Sequence, residues 1–374
     1  MSAVAHALPA GPGAVPTLAP MLQHVLCVLI VASAIKAPLH LPLYWNAGLL
    51  VLGLFGLICV QSLQRIFLWM VLLIGLGAAF AITHDLGVVT LARLVQLFLL
   101  VMATSVIVRI EPDLLLRYLV LLIPAIVLIW IAETFWPEPT FHERTVLGEA
   151  IPRQGGLHGE PNYGAMLYGV VGVLLARRPP RALAILPFLF AVPTLSRGVW
   201  IAALAWIGVL AGGRHKVRLA LPLILFLALQ PFLVLGLDLM IDEETREQLV
   251  RLSTDRLAIW LGYLQMGLSD ALGVGYFRGP ALVQVFQEDL PRAWFAHSLY
   301  MQVFGEFGWL GYLVFLGFVL HVTLRVARLA PAELPVLVFL FTGYALVNGL
   351  SDWAFWLTLG YVLARARQGD ALRS

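Results

Sequence analysis

No feature constrains the fold of this chain more than its long, almost unbroken apolar runs. They fall at 21–35, 43–60, 66–82, 88–108, 114–136, 161–176, 182–194, 199–211, 219–237, 298–320, 335–350 and 353–364. A run of about 20 apolar residues can cross a bilayer as a helix, because the helix satisfies every backbone polar group within the segment. A membrane β-barrel would instead need alternating apolar and polar residues in strands of ~10 residues. The chain is 61% hydrophobic and only 12% charged, with a mean hydropathy of +0.91, whereas soluble domains are about a quarter charged. The expected fold is all-α and polytopic, with about 12 transmembrane helices. Several runs are short, notably the two of 13 residues on either side of Ser196 and Arg197, and such pieces read as broken or partly re-entrant helices.

Arg and Lys in the short loops set the orientation. With the N-terminus in the cytoplasm, the inside collects Arg65, Arg109, Arg117, Arg177, Arg178, Arg181, Arg214, Lys216, Arg218, Arg325, Arg328, Arg365, Arg367 and Arg373, and the short outer loops only Lys36 and Arg197. The chain then divides into a flexible tail at 1–20, about nine spans over 21–237, a large periplasmic loop at 238–297, about three more spans over 298–366, and a cytoplasmic tail at 367–374. The first 20 residues contain no Lys or Arg, so they lack the charged start of a cleavable signal. A net charge of +3, with only Lys36 and Lys216 as lysines and no basic cluster interleaved with aromatics, does not suggest nucleic acid. Cys27 and Cys59 fall inside apolar runs and read as packing residues. No Cys-x-x-Cys, His-x-x-x-His or paired-Asp motif points to a metal, and no phosphate-binding Lys loop is present.

On this topology four polar groups share the outer face. The first is 153–165, Arg-Gln-Gly-Gly-Leu-His-Gly-Glu-Pro-Asn-Tyr-Gly-Ala. Pro161 suits a first helical turn, and free N–H groups at a helix start favour an anion; a Gly-rich turn capped by Pro and Asn162 explains the same residues. The second is Arg197, which can snorkel to the headgroups, although its short flanking runs would draw it below the surface, where an unpaired charge is costly. The third is 238–297, which holds nine acidic residues and five Arg. Asp242 reads as a helix cap followed by Glu243 and Glu244. Arg251, four residues from both Glu247 and Asp255, reads as a surface ion-pair residue. Arg256 has Leu252 in the equivalent place, so it is the better candidate for an anion; its neighbours Ile259, Trp260, Leu261 and Leu264 form a stripe expected to rest on the membrane surface. Arg278 follows in a Gly-rich turn. The fourth is His297, where the polar loop meets a helix entering the membrane. Nearby arginines would favour its neutral, proton-accepting form. Glu306, about 13 Å farther along that helix, reads as a buried partner for an Arg or a backbone group.

In order, Arg-x-x-Gly…Glu-Pro-Asn-x-x-Ala (153–165), Leu-Ser-Arg-Gly (195–198), Arg-x-x-x-Trp…Gly-Val-Gly-x-Phe (256–277) and His-Ser-x-Tyr-x-Gln…Gly-Glu-x-Gly-x-x-Gly (297–311) resemble the O-antigen ligase and O-antigen polymerase superfamily. Glu160 stands where Asp is common in that family, and Ser298 where Asn is common. The resemblance implies a glycosyltransferase of the bacterial inner membrane, without metal or cofactor, working at the periplasmic face. Its donor would be a glycan on a polyprenyl pyrophosphate. Its acceptor would be the lipid A core for a ligase, or another repeat unit for an O-antigen or exopolysaccharide polymerase. Arg153, Arg197 and Arg256 would hold the pyrophosphate, whose charge matches the planar fork of guanidinium donors. Arg292, Arg278, Glu306 and Asn162 stand behind them, and His297 would be the general base. A transporter or flippase of a lipid-linked sugar is the rival reading. It would be marked by charges or broken helices near mid-membrane and by a pseudo-repeat, whereas the polar residues here crowd one face.

Overall fold

The computed structural model describes residues 18–35, 42–59, 65–135, 143–146, 149–154, 156–158, 160–253, 255–287, 290 and 295–372. The tail at 1–17, Lys36 and Arg292 lie outside them. The chain is helical almost throughout. Its helices are α1 (Pro20–Ser33), α2 (Pro42–Cys59), α3 (Arg65–Thr83), α4 (Val88–Ile107), α5 (Pro112–Leu119), α6 (Leu122–Phe135), α7 (Pro161–Leu175), α8 (Ile185–Ala191), α9 (Arg197–Ala211), α10 (Lys216–Ala228), α11 (Gln230–Met240), α12 (Glu243–Leu252), α13 (Arg256–Ser269), α14 (Gly279–Phe286), α15 (Leu299–Leu329), α16 (Leu334–Tyr344) and α17 (Trp353–Ala371). Among the described residues the departure from an all-α fold is a short antiparallel hairpin between α6 and α7, β1 (Glu143–Val146) with β2 (Glu149–Pro152), in which Glu143 pairs with Pro152.

Each apolar run corresponds to a helix or a pair of helix segments, and prolines explain two of the breaks. Run 114–136 is α5 and α6, interrupted at Val120 and Leu121; Pro124 has no N–H to offer the Val120 carbonyl four residues back. Run 219–237 is α10 and α11, bent by 60° where Pro231 denies a donor to Leu227. By length and composition α4, α5–α6 and α15 can each cross a membrane, and the bent α10–α11 pair makes a fourth candidate. The α9 helix has 15 residues, about 22 Å, which is short of a ~30 Å hydrocarbon core. Apolar side chains cover much of the outer surface of the bundle, among them Leu128, Leu204, Phe226 and Leu313. An apolar surface of this extent is stable against lipid and not against water, and the molecule is an integral membrane protein.

Polar groups pair in two layers at opposite helix ends. One layer holds the ion pairs Arg177–Glu333 (3.0 Å), Arg325–Asp370 (3.7 Å) and Arg365–Asp113. The other gathers the start of α7, α9, α13 and α15 with the end of α16. There α12 is capped by Asp242, whose Oδ1 accepts from Thr245 N–H at 2.8 Å, and Arg246 takes Asp238 at 2.6 Å. The stripe beside Arg256 does not lie on the membrane surface: Ile259, Leu261 and Leu264 are buried in the core. The reason is close packing of α13 on α15, where a Cβ on Gly267 would meet Phe304 at 2.3 Å and one on Gly305 would meet Tyr263 at 2.7 Å.

The α15 helix itself is kinked at Gly308, with φ 66° and ψ −176°. Only glycine fits there, since a Cβ would meet the Ala271 carbonyl oxygen at 2.3 Å. The kink admits the turn after α13, whose Val274 and Gly275 N–H groups donate to the Gly305 and Glu306 carbonyls at 3.2 and 3.0 Å.

Candidate functional site

Arg153 follows β2 and is fastened on two sides. Its Nε donates to the Thr194 carbonyl at 2.7 Å, and its Nη2 to Asn162 Oδ1 at 2.9 Å. Asn162 Nδ2 donates in turn to Glu160 Oε1 at 3.0 Å, while Glu160 Oε2 accepts from Tyr163 N–H at 2.9 Å and caps α7. Pro161 takes the first turn, as its missing N–H allows. Glu160 therefore serves as a helix cap, and Asn162 orients Arg153. The same contacts tie 153–163 to the turn before α9. Arg197 opens that helix, three residues after Thr194; its side chain is exposed and has no hydrogen bond or ion pair among the described residues.

Arg256 opens α13 and Arg278 precedes α14. Glu306 is fully buried beneath the turn between these helices. Gln302 Nε2 donates to it at 3.1 Å, and the backbone N–H groups of Phe277 and Gly279 point to it. Of the two partners expected for Glu306, the backbone is the one present.

His297 sits just before α15 in a left-handed conformation, φ 49°, which is costly for a residue with a Cβ and persists only where neighbours hold it. They hold it from both sides. Trp260 Nε1 donates to the Ala296 carbonyl at 2.8 Å, and Ser298 N–H donates to Asn348 Oδ1 at 3.2 Å. Ser298 Oγ donates to Gln230 Oε1 at 2.8 Å and accepts from Met301 N–H at 3.3 Å, capping α15. Asn348 also bonds the Tyr163 side chain, so one amide joins the His297 turn to the Arg153 segment. Burial first, then the positive charges of Arg256 and Arg153, push the His297 imidazole down to about 4. All three disfavour the imidazolium, and the ring is neutral at pH 7.

The structure thus brings together His297, Arg153 and Arg256, with Asn162 behind Arg153 and Arg197 on the adjoining turn. Backbone strain marks the same places. Among the described residues, five other than glycine have positive φ: Asp85, Leu195, Asp255, Phe277 and His297. Leu195 precedes Arg197 by two residues, Asp255 directly precedes Arg256, and Phe277 directly precedes Arg278. Strain of this kind, about 1–3 kcal/mol per residue, concentrates where a fold fixes functional side chains.

Four residues at the site escaped sequence reasoning. Asn348 and Gln230 support Ser298. Asp352 accepts from the Tyr344 hydroxyl and from Ala354 N–H at 3.1 Å, capping α17. Arg93 lies over the Phe277 ring, 4.3 Å from its centroid. The available signal was the polar stretch Asn348-Gly-Leu-Ser-Asp352, which lies between two apolar runs.

No match was found among curated proteins. Residues 182–316 match the family model described as O-antigen ligase. That stretch contains Arg197, Arg256, Arg278, His297 and Glu306 and three of the four motifs, and the match is consistent with the O-antigen ligase and polymerase superfamily that they resemble; the motif at 153–165 lies outside it.

Proposed function

We propose that this protein transfers a glycan from a polyprenyl pyrophosphate to a sugar hydroxyl at the periplasmic face of a bacterial inner membrane, as an O-antigen ligase acting on the lipid A core. The family match supports glycan transfer of the ligase or polymerase type. The observation that carries the finer reading is the gathering of Arg153 and Arg256 about a buried His297: burial first, then the two guanidinium charges, disfavour the imidazolium.

In the proposed reaction the neutral His297 ring takes the proton of the acceptor hydroxyl. The freed oxygen attacks the anomeric carbon, and the bond from that carbon to the pyrophosphate oxygen breaks. Its electron pair leaves on the pyrophosphate, which Arg153, Arg197 and Arg256 stabilise through charge-assisted donors. A leaving group so stabilised needs no general acid, and the arginines take the part a metal ion plays in other pyrophosphate chemistry. The cations are held before substrate arrives: Arg153 by Thr194 and Asn162, and Arg256 by its place in the first turn of α13. Donor binding also alters the base. A bound pyrophosphate offsets the arginine charges that depress His297, so the imidazole becomes more basic in the complex that needs it.

The loop at 238–297 then acts as an extracytoplasmic cap whose last residue is the base, with both chain termini in the cytoplasm and about 12 spans below. A polymerase would use the same geometry with a repeat-unit glycan as acceptor. Purified protein supplied with one lipid-pyrophosphate glycan and, separately, a lipid A core or a second repeat unit separates the two. Transfer to the core alone supports the ligase, transfer to the repeat unit alone assigns the polymerase, and transfer to neither removes the reading.

A further inference from the structure

A second cationic site lies at the opposite end of the bundle from His297. A cavity of about 620 Å³ opens between α3 and the last turns of α15. Gly317, His321, Leu324, Arg325 and Arg328 line it from one stripe of α15, as positions spaced by three and four residues must. Trp69 of α3 faces them, its indole packed so closely on Gly317 that a Cβ there would meet the ring at 2.7 Å.

Polar groups gather at one end. Trp69 Nε1 donates to His321 Nδ1 at 3.1 Å; the neutral ring then carries its proton on Nε2. Arg325 lies 3.7 Å from Asp370, a loose ion pair, and its Nε is buried with no hydrogen-bond partner. Arg328 is exposed and has no partner among the described residues. The other end is apolar, lined by Leu320 and Leu324, and exposed Leu68 and Leu72 of α3 continue alongside it. From Gly317 to Arg328 is about 16 Å of helix, enough for a headgroup and the first part of an acyl chain. From the Gly308 kink to Arg328 is about 30 Å, one hydrocarbon thickness. The arginines stand past the apolar run 298–320, toward the end of α15.

We infer that this cleft binds an anionic phospholipid, with Arg325, Arg328 and His321 Nε2–H on the headgroup phosphate and the acyl chains along Trp69, Leu320 and Leu324. Cation donors over a lipid-facing apolar wall match that chemistry, and a free phosphate would leave the apolar half empty.

The test uses the delipidated full-length protein in detergent, with binding followed by native mass spectrometry and by thermal shift. Phosphatidylglycerol, phosphatidylcholine with the same acyl chains, and inorganic phosphate are compared at matched concentration. Phosphatidylglycerol is expected to bind and to raise the melting temperature, and the other two are not. The Arg325→Gln/Arg328→Gln protein is expected to bind it about 25-fold more weakly, at about fivefold per arginine. Arg178→Gln/Arg181→Gln, with the same change of charge elsewhere at that end, is expected to leave binding unchanged. If the double variant does not fold, Arg328→Gln alone carries the test with a fivefold loss. Equal binding of the two lipids, undiminished binding by the variants, or stabilisation by inorganic phosphate alone would overturn the inference.

Discussion

The pH dependence of transfer tests the His297 assignment quantitatively. An ordinary histidine titrates near 6.5, and this one is pushed down to about 4; the difference is about 3 kcal/mol in favour of the neutral ring. A group depressed in this way stays a competent base as pH falls, until the pH reaches its own lowered value. Between pH 7 and pH 5 the neutral fraction of a ring titrating at about 4 falls by only about a tenth, whereas at 6.5 it would fall about 25-fold. A pyrophosphate esterified at both ends has no proton to exchange in that interval, so the substrate does not mimic the effect. The assay is kcat/KM for glycan transfer by the purified protein from pH 4 to 8, which reports the free enzyme. Expected is a plateau down to about pH 5 and a fall near 4. Arg256→Gln removes the larger of the two electrostatic causes and leaves burial in place, so its acid limb should move upward toward 6.5. The limb in kcat should also lie above the limb in kcat/KM, because bound pyrophosphate offsets the arginines. A wild-type limb at 6.5, or one that Arg256→Gln leaves in place, would refute the reasoning.

Five other outcomes are expected. Asn348→Ala removes the acceptor for Ser298 N–H and lets the His297 turn relax. Transfer should drop about ten- to hundredfold in kcat with its pH limb unmoved, and chemical denaturation should show a loss of about 1–3 kcal/mol. Arg197→Ala should raise the KM for donor while changing stability by less than about 0.5 kcal/mol, since its side chain is exposed; Arg153→Ala, which breaks two bonds to Thr194 and Asn162, should lose both donor binding and about 2 kcal/mol of stability. Gly308→Ala, whose methyl would meet Ala271 at 2.3 Å, should yield little folded protein by size-exclusion chromatography. EDTA should leave transfer undiminished, and its abolition would require a metal that this account does not use.

The helices were legible because a membrane segment needs only a local signal, an apolar run of sufficient length. Thus 88–108 is α4 (Val88–Ile107) and 161–176 is α7 (Pro161–Leu175). Where the sequence reading fell short, the cause is local in some cases and distant in others. The break at Leu229 follows from Pro231 and the kink of α15 from Gly308, both visible as letters but masked by the hydropathy around them. The stripe of Ile259, Leu261 and Leu264 was legible as apolar, but hydropathy does not distinguish a lipid-facing residue from one packed on another helix, and these pack in the core. Arg153 and Asn162, nine positions apart, were recognisable as one group; their bond confirms it. Asn348 was not, because it meets Ser298 across 50 positions of sequence and lies in a connection between spans whose polarity looks like an ordinary loop. Gln230 is a similar case, placed against Ser298 across 68 positions by the bend between α10 and α11.

The central claim is that a covalent transfer takes place with His297 as its base. The most direct test reconstitutes wild-type and His297→Ala proteins in liposomes with a lipid-pyrophosphate glycan and acceptor, and measures glycan on the acceptor together with free polyprenyl pyrophosphate. The wild type is expected to produce the two in equal amounts, and His297→Ala to be slower by about 10²–10⁴-fold while still binding the donor. Undiminished transfer by His297→Ala, or donor that crosses the bilayer with its pyrophosphate bond intact, would contradict it.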